Sequence, residues 1–279
     1  MVSATSKGPS GPAAVADALR RAKTALDLGR APEAEQLARA VLAKDSRHAG
    51  AQQILGGSLL LQGRNEDAIA PLEGAARVLR DAALDTQLAI ALRETGRTDD
   101  ALARLKRAIK REPPYVFAFH ELGFLLYSLK RYDEAIATIE RGIDIAPLTS
   151  NLFVLLGGIC HARRNLPRAK AAYARALSIS PNLADAHYGM GSVLMSEAAF
   201  KAAAKHFRFA SMSDPGDPQP RLKLAGCLLE TGETDAALAL LRSPIRDDPQ
   251  VYATSLRLLL SAGRGRFWLR PSAAARALT

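Results

Sequence analysis

The chain has 279 residues, 48% hydrophobic and 24% charged, which excludes a disordered polar chain or a collagen-like one and suits about two globular domains or one elongated array. Lys and Arg outnumber Asp and Glu by 38 to 28; the net charge of +10 raises acidic protein, nucleic acid and anionic membrane as partners without choosing among them. Cys160 and Cys227 form no CxxC pair, which sets aside disulfide scaffolds, zinc ribbons and thioredoxin-like chemistry and points to a reducing compartment, the cytoplasm.

Residues 1–14, MVSATSKGPSGPAA, contain no apolar run and are expected to form a flexible tail without a secretory signal. The longest apolar stretch, Leu152 to Cys160, is too short to cross a bilayer. Aromatic residues are scarce, so Leu, Ala and Gly must close the interior, and these let helices approach closely. An all-α protein is expected.

From residue 15 onward one pattern recurs. Ala34, Ala68, Ala101, Ala135, Ala169, Ala203 and Ala237 follow each other at spacings of 34, 33, 34, 34, 34 and 34 residues. A second small column runs in phase through Ala22, Gly56, Ala89, Gly123, Gly157, Gly191 and Ala225, with an apolar residue three places later, the stripe of an amphipathic helix. Between the columns lie turns such as GRAPEA, GRNEDA and GRTDDA, whose Gly, Asn, Thr and Asp end one helix and cap the next. Four residues beyond the alanine stands a bulky one (Leu72, Leu105, Ile139, Tyr173, Phe207, Leu241), and Pro113, Pro147, Pro181, Pro215 and Pro249 then stop the helix. Each period is therefore a helical hairpin.

Over residues 15–251 this pattern resembles the tetratricopeptide repeat family. The resemblance implies a right-handed α-solenoid of about seven hairpins, at 15–48, 49–81, 82–115, 116–149, 150–183, 184–217 and 218–251. The first unit departs from the pattern at Arg21 and Ala25, and Ser46 and Arg80 replace the terminal proline. Pro71 and Pro244 predict kinked or shortened second helices. Residues 252–279 are expected to form a capping helix and an Arg-rich tail.

No catalytic constellation emerges. His48, His120, His161, His187 and His206 lack metal-ligand spacing, and Cys160 occupies an apolar packing column. The GRGR at 263–266 lacks the frame of a phosphate loop. No enzyme activity, metal or cofactor is expected. Lys106, Arg107, Lys110 and Arg111, and Arg163, Arg164, Arg168, Lys170 and Arg175, are expected on solvated outer faces.

The resemblance places first helices along a concave groove, which assigns Gln53, Thr86, His120 and Tyr188, then Phe124, then Arg93, Tyr127, His161 and Met195 to a partner-binding surface. For Phe124 and Met195 packing between repeats is an equal alternative. The Lys, Asn and Arg clamp by which some relatives hold chaperone tails is missing; only Lys23 could contribute. The leading reading is a non-catalytic, protein-binding scaffold that takes a peptide or helix. Alternatives are a module accompanying a sulfotransferase or glycosyltransferase, and binding of nucleic acid or an anionic surface through Arg264, Arg266, Phe267, Trp268 and Arg270.

Overall fold

The computed structural model describes residues 11–242 and 249–261. Among these, the chain forms fifteen α-helices and no strand. They divide into two compact units, Met1–Ile145 and Ala146–Thr279. The first holds α1 (Pro12–Asp27), α2 (Ala31–Leu42), α3 (Ala49–Leu61), α4 (Asn65–Ala76), α5 (Ala82–Glu94), α6 (Thr98–Ala108), α7 (Val116–Ser128) and α8 (Tyr132–Ile145). The second holds α9 (Ser150–Ala162), α10 (Leu166–Ile179), α11 (Ala184–Ser196), α12 (Phe200–Ser213), α13 (Pro218–Thr231), α14 (Thr234–Arg242) and α15 (Pro249–Ser261). Each odd-numbered helix from α1 to α13 packs on the even-numbered helix that follows; among odd-numbered neighbours α1 packs on α3, α3 on α5, α5 on α7, α9 on α11 and α13 on α15.

The repeating columns are the packing surfaces. All seven alanines of the second-helix column, Ala34 to Ala237, are fully buried. The bulky residue four places on inserts into the small column of the preceding helix. A Cβ on Gly157 would stand 2.8 Å from the Tyr173 ring, one on Gly191 2.9 Å from Phe207, and one on Gly56 would collide with Leu72. Small residues here set the distance between helices, and burying each Leu or Phe contributes about 1.5–3 kcal/mol. Cys160 is buried in its packing column. Cys227 is buried too, and burial pushes its thiol up to about 11.

Every hairpin turn uses one backbone device. Gly29, Gly63, Gly96 and Gly232 have φ between 71° and 86°, and Lys130, Arg164 and Ala198 adopt the same left-handed conformation without being glycine. The next residue's N–H returns to the carbonyl five residues earlier, as in Arg64 to Leu59 at 2.9 Å and Asn165 to Cys160 at 2.9 Å. These are the bonds of a Schellman motif, and they satisfy carbonyls that a helix end would leave open. The expected side-chain caps are mostly absent from these turns. Asn165 accepts from the Arg168 N–H, whereas Arg30, Arg64 and Arg97 occupy the cap position without a side-chain cap bond. Arginine instead pairs with an acid one turn inside the helix: Arg64 with Asp67, Arg97 with Asp100 and Arg131 with Glu134. A negative charge there also faces the positive end of the helix dipole.

Pro147, Pro181 and Pro215 each follow the last helical residue by two positions, as expected of a stop signal. Pro249 corrects that expectation: it opens α15, where its missing N–H costs no helical bond. Helix α4 runs through Pro71 over 12 residues, no shorter than α2 with 12 or α6 with 11, so the expected shortening is not seen. Pro244 lies outside the described residues. Helix α15 packs on α13, where a Cβ on Gly226 would meet Leu258 at 3.5 Å.

The structure also reveals a second register between paired helices, in which a residue of the first helix meets the one 22 positions later. Arg141 lies over the Phe119 ring at 5.5 Å, Arg175 over Phe153 at 5.9 Å, and His187 stacks on Phe209 at 4.0 Å. In the same register Asp85 meets Arg107. Arg107, Arg111 and Arg175 are therefore not merely solvated, as their place in basic runs suggested. Asp85 is buried and accepts from Arg107 Nε at 3.0 Å and Arg111 Nε at 2.6 Å, so its charge draws these side chains inward.

His187 Nε2 donates to the Pro181 carbonyl at 2.9 Å, which leaves its Nδ1 to accept from His206 Nδ1 at 2.9 Å. Burial, and then His187, push the His206 pKa below its ordinary value. The native state thus favours neutral His206. Its contribution is present above the unfolded-state pKa of about 6.5 and is lost as pH falls below it toward the folded value. Acidification from about pH 7.5 to about 5.5 should lower the urea midpoint of the parent more than that of His206→Gln; parallel losses would contradict this account.

Candidate partner-binding groove

In the first unit, the odd helices leave a recess of about 600 Å³ lined in part by Leu19, Lys23, Leu26, Gln53, Ile54 and Gln87. Gln53 lines this recess, half-buried, its Nε2 3.5 Å from Asp81 Oδ2. Lys23 lies beside it. Among the described residues, Gln87 Oε1 is a buried acceptor without a hydrogen-bond partner. Gly50 and Ala83 also line the recess, and their lack of bulk leaves it open.

Thr86 does not belong to this surface. It is 1% exposed, and its hydroxyl donates to the Ala82 carbonyl at 2.7 Å. A short side chain that satisfies its own hydroxyl within its helix can be covered where α5 packs against α3 and α7.

Helix α7 carries an aromatic stripe. Phe117, His120, Phe124 and Tyr127 recur at spacings of three, four and three, so they share one helical stripe. Phe117 and Phe124 are 45% and 42% exposed, so both rings lie at the surface rather than in the core. His120 stacks on Phe117 with ring centroids 5.9 Å apart, and Tyr115 meets Phe117 edge-on at 6.1 Å. Half-buried Tyr127 lies 6.0 Å from Tyr132. Arg93 reaches across from α5, placing its guanidinium 5.2 Å from the Phe124 centroid and donating to Glu121 at 2.7 Å.

Burial opposes ionisation of Glu121, but hydrogen bonds from His120 and Arg93 and their charges outweigh it and hold the carboxyl below the usual range. The Arg93–Glu121–His120 network fixes the wall that presents Phe124. Phe117 and Glu121 beside this stripe, and Gln87 in the recess, lie outside the three sets of positions read from the small column. Extending the stripe one turn back from His120 reaches Phe117.

In the second unit, His161 on α9 stands 3.1 Å from Ser196 Oγ on α11, and burial, then Arg164 and Lys223, push its pKa down. Tyr188 is half-buried, edge-on to Phe207 at 5.7 Å, and burial, then Asp217, raise its pKa. Met195 is half-buried on α11. Tyr188 and His161 are thus partly engaged within the unit. Arg264, Arg266, Phe267, Trp268 and Arg270 lie outside the described residues. Among those described, no three His, Cys, Asp or Glu side chains gather as metal ligands, and no helix is long and apolar enough to cross a membrane.

No curated protein matches the chain. Among solved structures, the APC/C hetero-tetramer Cut9–Hcn1 aligns with a TM-score of 0.72 at 12% identity, covering 90% of this chain and 50% of that one. PilF of Pseudomonas aeruginosa aligns at 0.65 with 20% identity, covering 76% and 97%. The C-terminal part of a TPR repeat-containing protein from Cytophaga hutchinsonii aligns at 0.61 with 13% identity, covering 85% and 98%. At such identities these likenesses show the fold alone. Models of the tetratricopeptide repeat match residues 19–83, 86–148, 122–184 and 194–260. With most of its length so matched, the chain belongs to the tetratricopeptide repeat family.

Proposed function

We propose that the chain is a non-catalytic scaffold that captures an extended peptide or a helix of a partner protein on the groove side of its first unit. Its family generally serves protein–protein interaction, and the aromatic stripe of α7 carries the finer reading. Phe117 and Phe124 stay substantially exposed although burying either ring would be favourable, and Arg93 and His120 hold them in place. Rigid exposed aromatics give a partner much contact area at little entropic cost. The buried thiols of Cys160 and Cys227 suit a reducing compartment such as the cytoplasm.

Peptides selected on the parent from a random library should bind Phe124→Ala/Tyr127→Ala at least about tenfold more weakly, since aromatic anchors dominate such interfaces. The thermal midpoint should change little because Phe124 is exposed and Tyr127 half-exposed. Unchanged affinity would remove the groove from the function.

A further inference from the structure

A cleft of about 340 Å³ opens between the second helices of the first unit. Glu73, Ala76 and Arg77 line it from the end of α4, and Arg104 and Arg107 from α6. Asp85 lies beside it. Three guanidinium groups converge on that single buried carboxylate: Arg107 and Arg111 hydrogen bond to it, while Arg104 stays 3.7 Å away, beyond hydrogen-bond reach. Arg77 is exposed and makes no ion pair among the described residues. The four arginines therefore face two carboxylates, Asp85 and Glu73, leaving two positive charges in surplus around an open cleft. Arg104 and Arg77 retain donors for a further anion, and Asp85 fixes Arg107 in position.

We propose that this cleft binds the dianion of a phosphate monoester, with Arg77 and Arg104 as its principal ligands. Guanidinium forks match the oxygens of a phosphate and are weakly hydrated, so they surrender water readily. The charge of a dianion matches the surplus, whereas a single carboxylate would leave half of it uncompensated. Glu73 lowers affinity and restricts the site to strongly charged ligands. Because second helices form the cleft and first helices the groove, the two sites are separable by mutation.

The test is calorimetric titration of the full chain at low salt with O-phosphoserine, a phosphoserine peptide of neutral flanks and its unphosphorylated counterpart. Both phosphorylated probes should bind and the unphosphorylated peptide should not. Arg77→Ala/Arg104→Ala should weaken binding at least about tenfold, the loss of two charge-assisted contacts. Glu73→Gln should tighten it by about threefold, an effect no merely structural role for the arginines would produce. Thermal midpoints establish that each variant is folded; Asp85 keeps Arg107 and Arg111 in both. Equal affinity for the two phosphorylated probes identifies a small phosphorylated ligand, and a preference for the peptide identifies a phosphorylated protein. Absence of phosphate-dependent binding, indifference to the double substitution, or weakening by Glu73→Gln would overturn the proposal.

Discussion

Gly189→Ala should destabilise the second unit by about 3 kcal/mol, at the upper end of what overpacking a well-filled core costs. The Tyr173 ring of α10 sits against glycines of two helices: a Cβ on Gly157 would lie 2.8 Å from it, and one on Gly189 would fall inside its van der Waals envelope. Non-bonded carbons settle near 3.5–4.0 Å, so either the ring or α11 must move. Helix propensity works in the other direction, because alanine is better than glycine in a helix by about 1 kcal/mol. Gly158 isolates that opposing effect. Its Cβ would meet only the Tyr173 hydroxyl, at an ordinary 3.7 Å, so Gly158→Ala should be neutral or stabilise by up to about 1 kcal/mol. Adding Tyr173→Leu to Gly189→Ala should recover part of the loss. Urea denaturation of the parent and the three variants decides the matter: equal midpoints for Gly158→Ala and Gly189→Ala would refute the steric account.

The contrast between those glycines explains how much of the molecule was legible in its sequence. Columns of one chemical type could be read because close helix contact admits only small residues there: every alanine from Ala34 to Ala237 is fully buried. The hairpin turns were legible where glycine marks the left-handed position, yet Lys130, Arg164 and Ala198 hold it as well, since Schellman bonds and packing impose the conformation. The groove stripe on α7 followed from helical geometry, but Thr86 at the equivalent place on α5 is covered, because phase alone does not report what a neighbouring helix hides. Least visible was the register of 22. It pairs Phe119 with Arg141, His187 with Phe209 and Asp85 with Arg107, so geometry repeats while chemistry changes and no residue type marks the column. The single buried carboxylate that organises a basic run cannot be seen from the run itself.

Asp85→Ala should cost the first unit about 2–3 kcal/mol, less than the 3–5 expected when one partner of a fully buried ion pair is removed. The Asp85 side chain is 2% exposed and holds Arg107 and Arg111 against α5. Without it their charges lose compensation, and a void replaces the carboxylate. The discount arises because Arg107 is 47% exposed and can turn its guanidinium to water, whereas a sequestered cation could not. Burial and electrostatics make separable predictions here. Asp85→Asn keeps the volume and removes the charge, so it should retain packing while losing the ion pairs. Asp85→Phe recreates the arrangement of Arg141 over Phe119 and Arg175 over Phe153, in which an aromatic face receives the arginine. It should therefore be tolerated better than Asp85→Ala despite being the larger change. Chemical denaturation at low and high salt measures the ranking: Phe above Ala at both salts supports a register that needs a filled position, whereas Phe falling below Ala would refute that account.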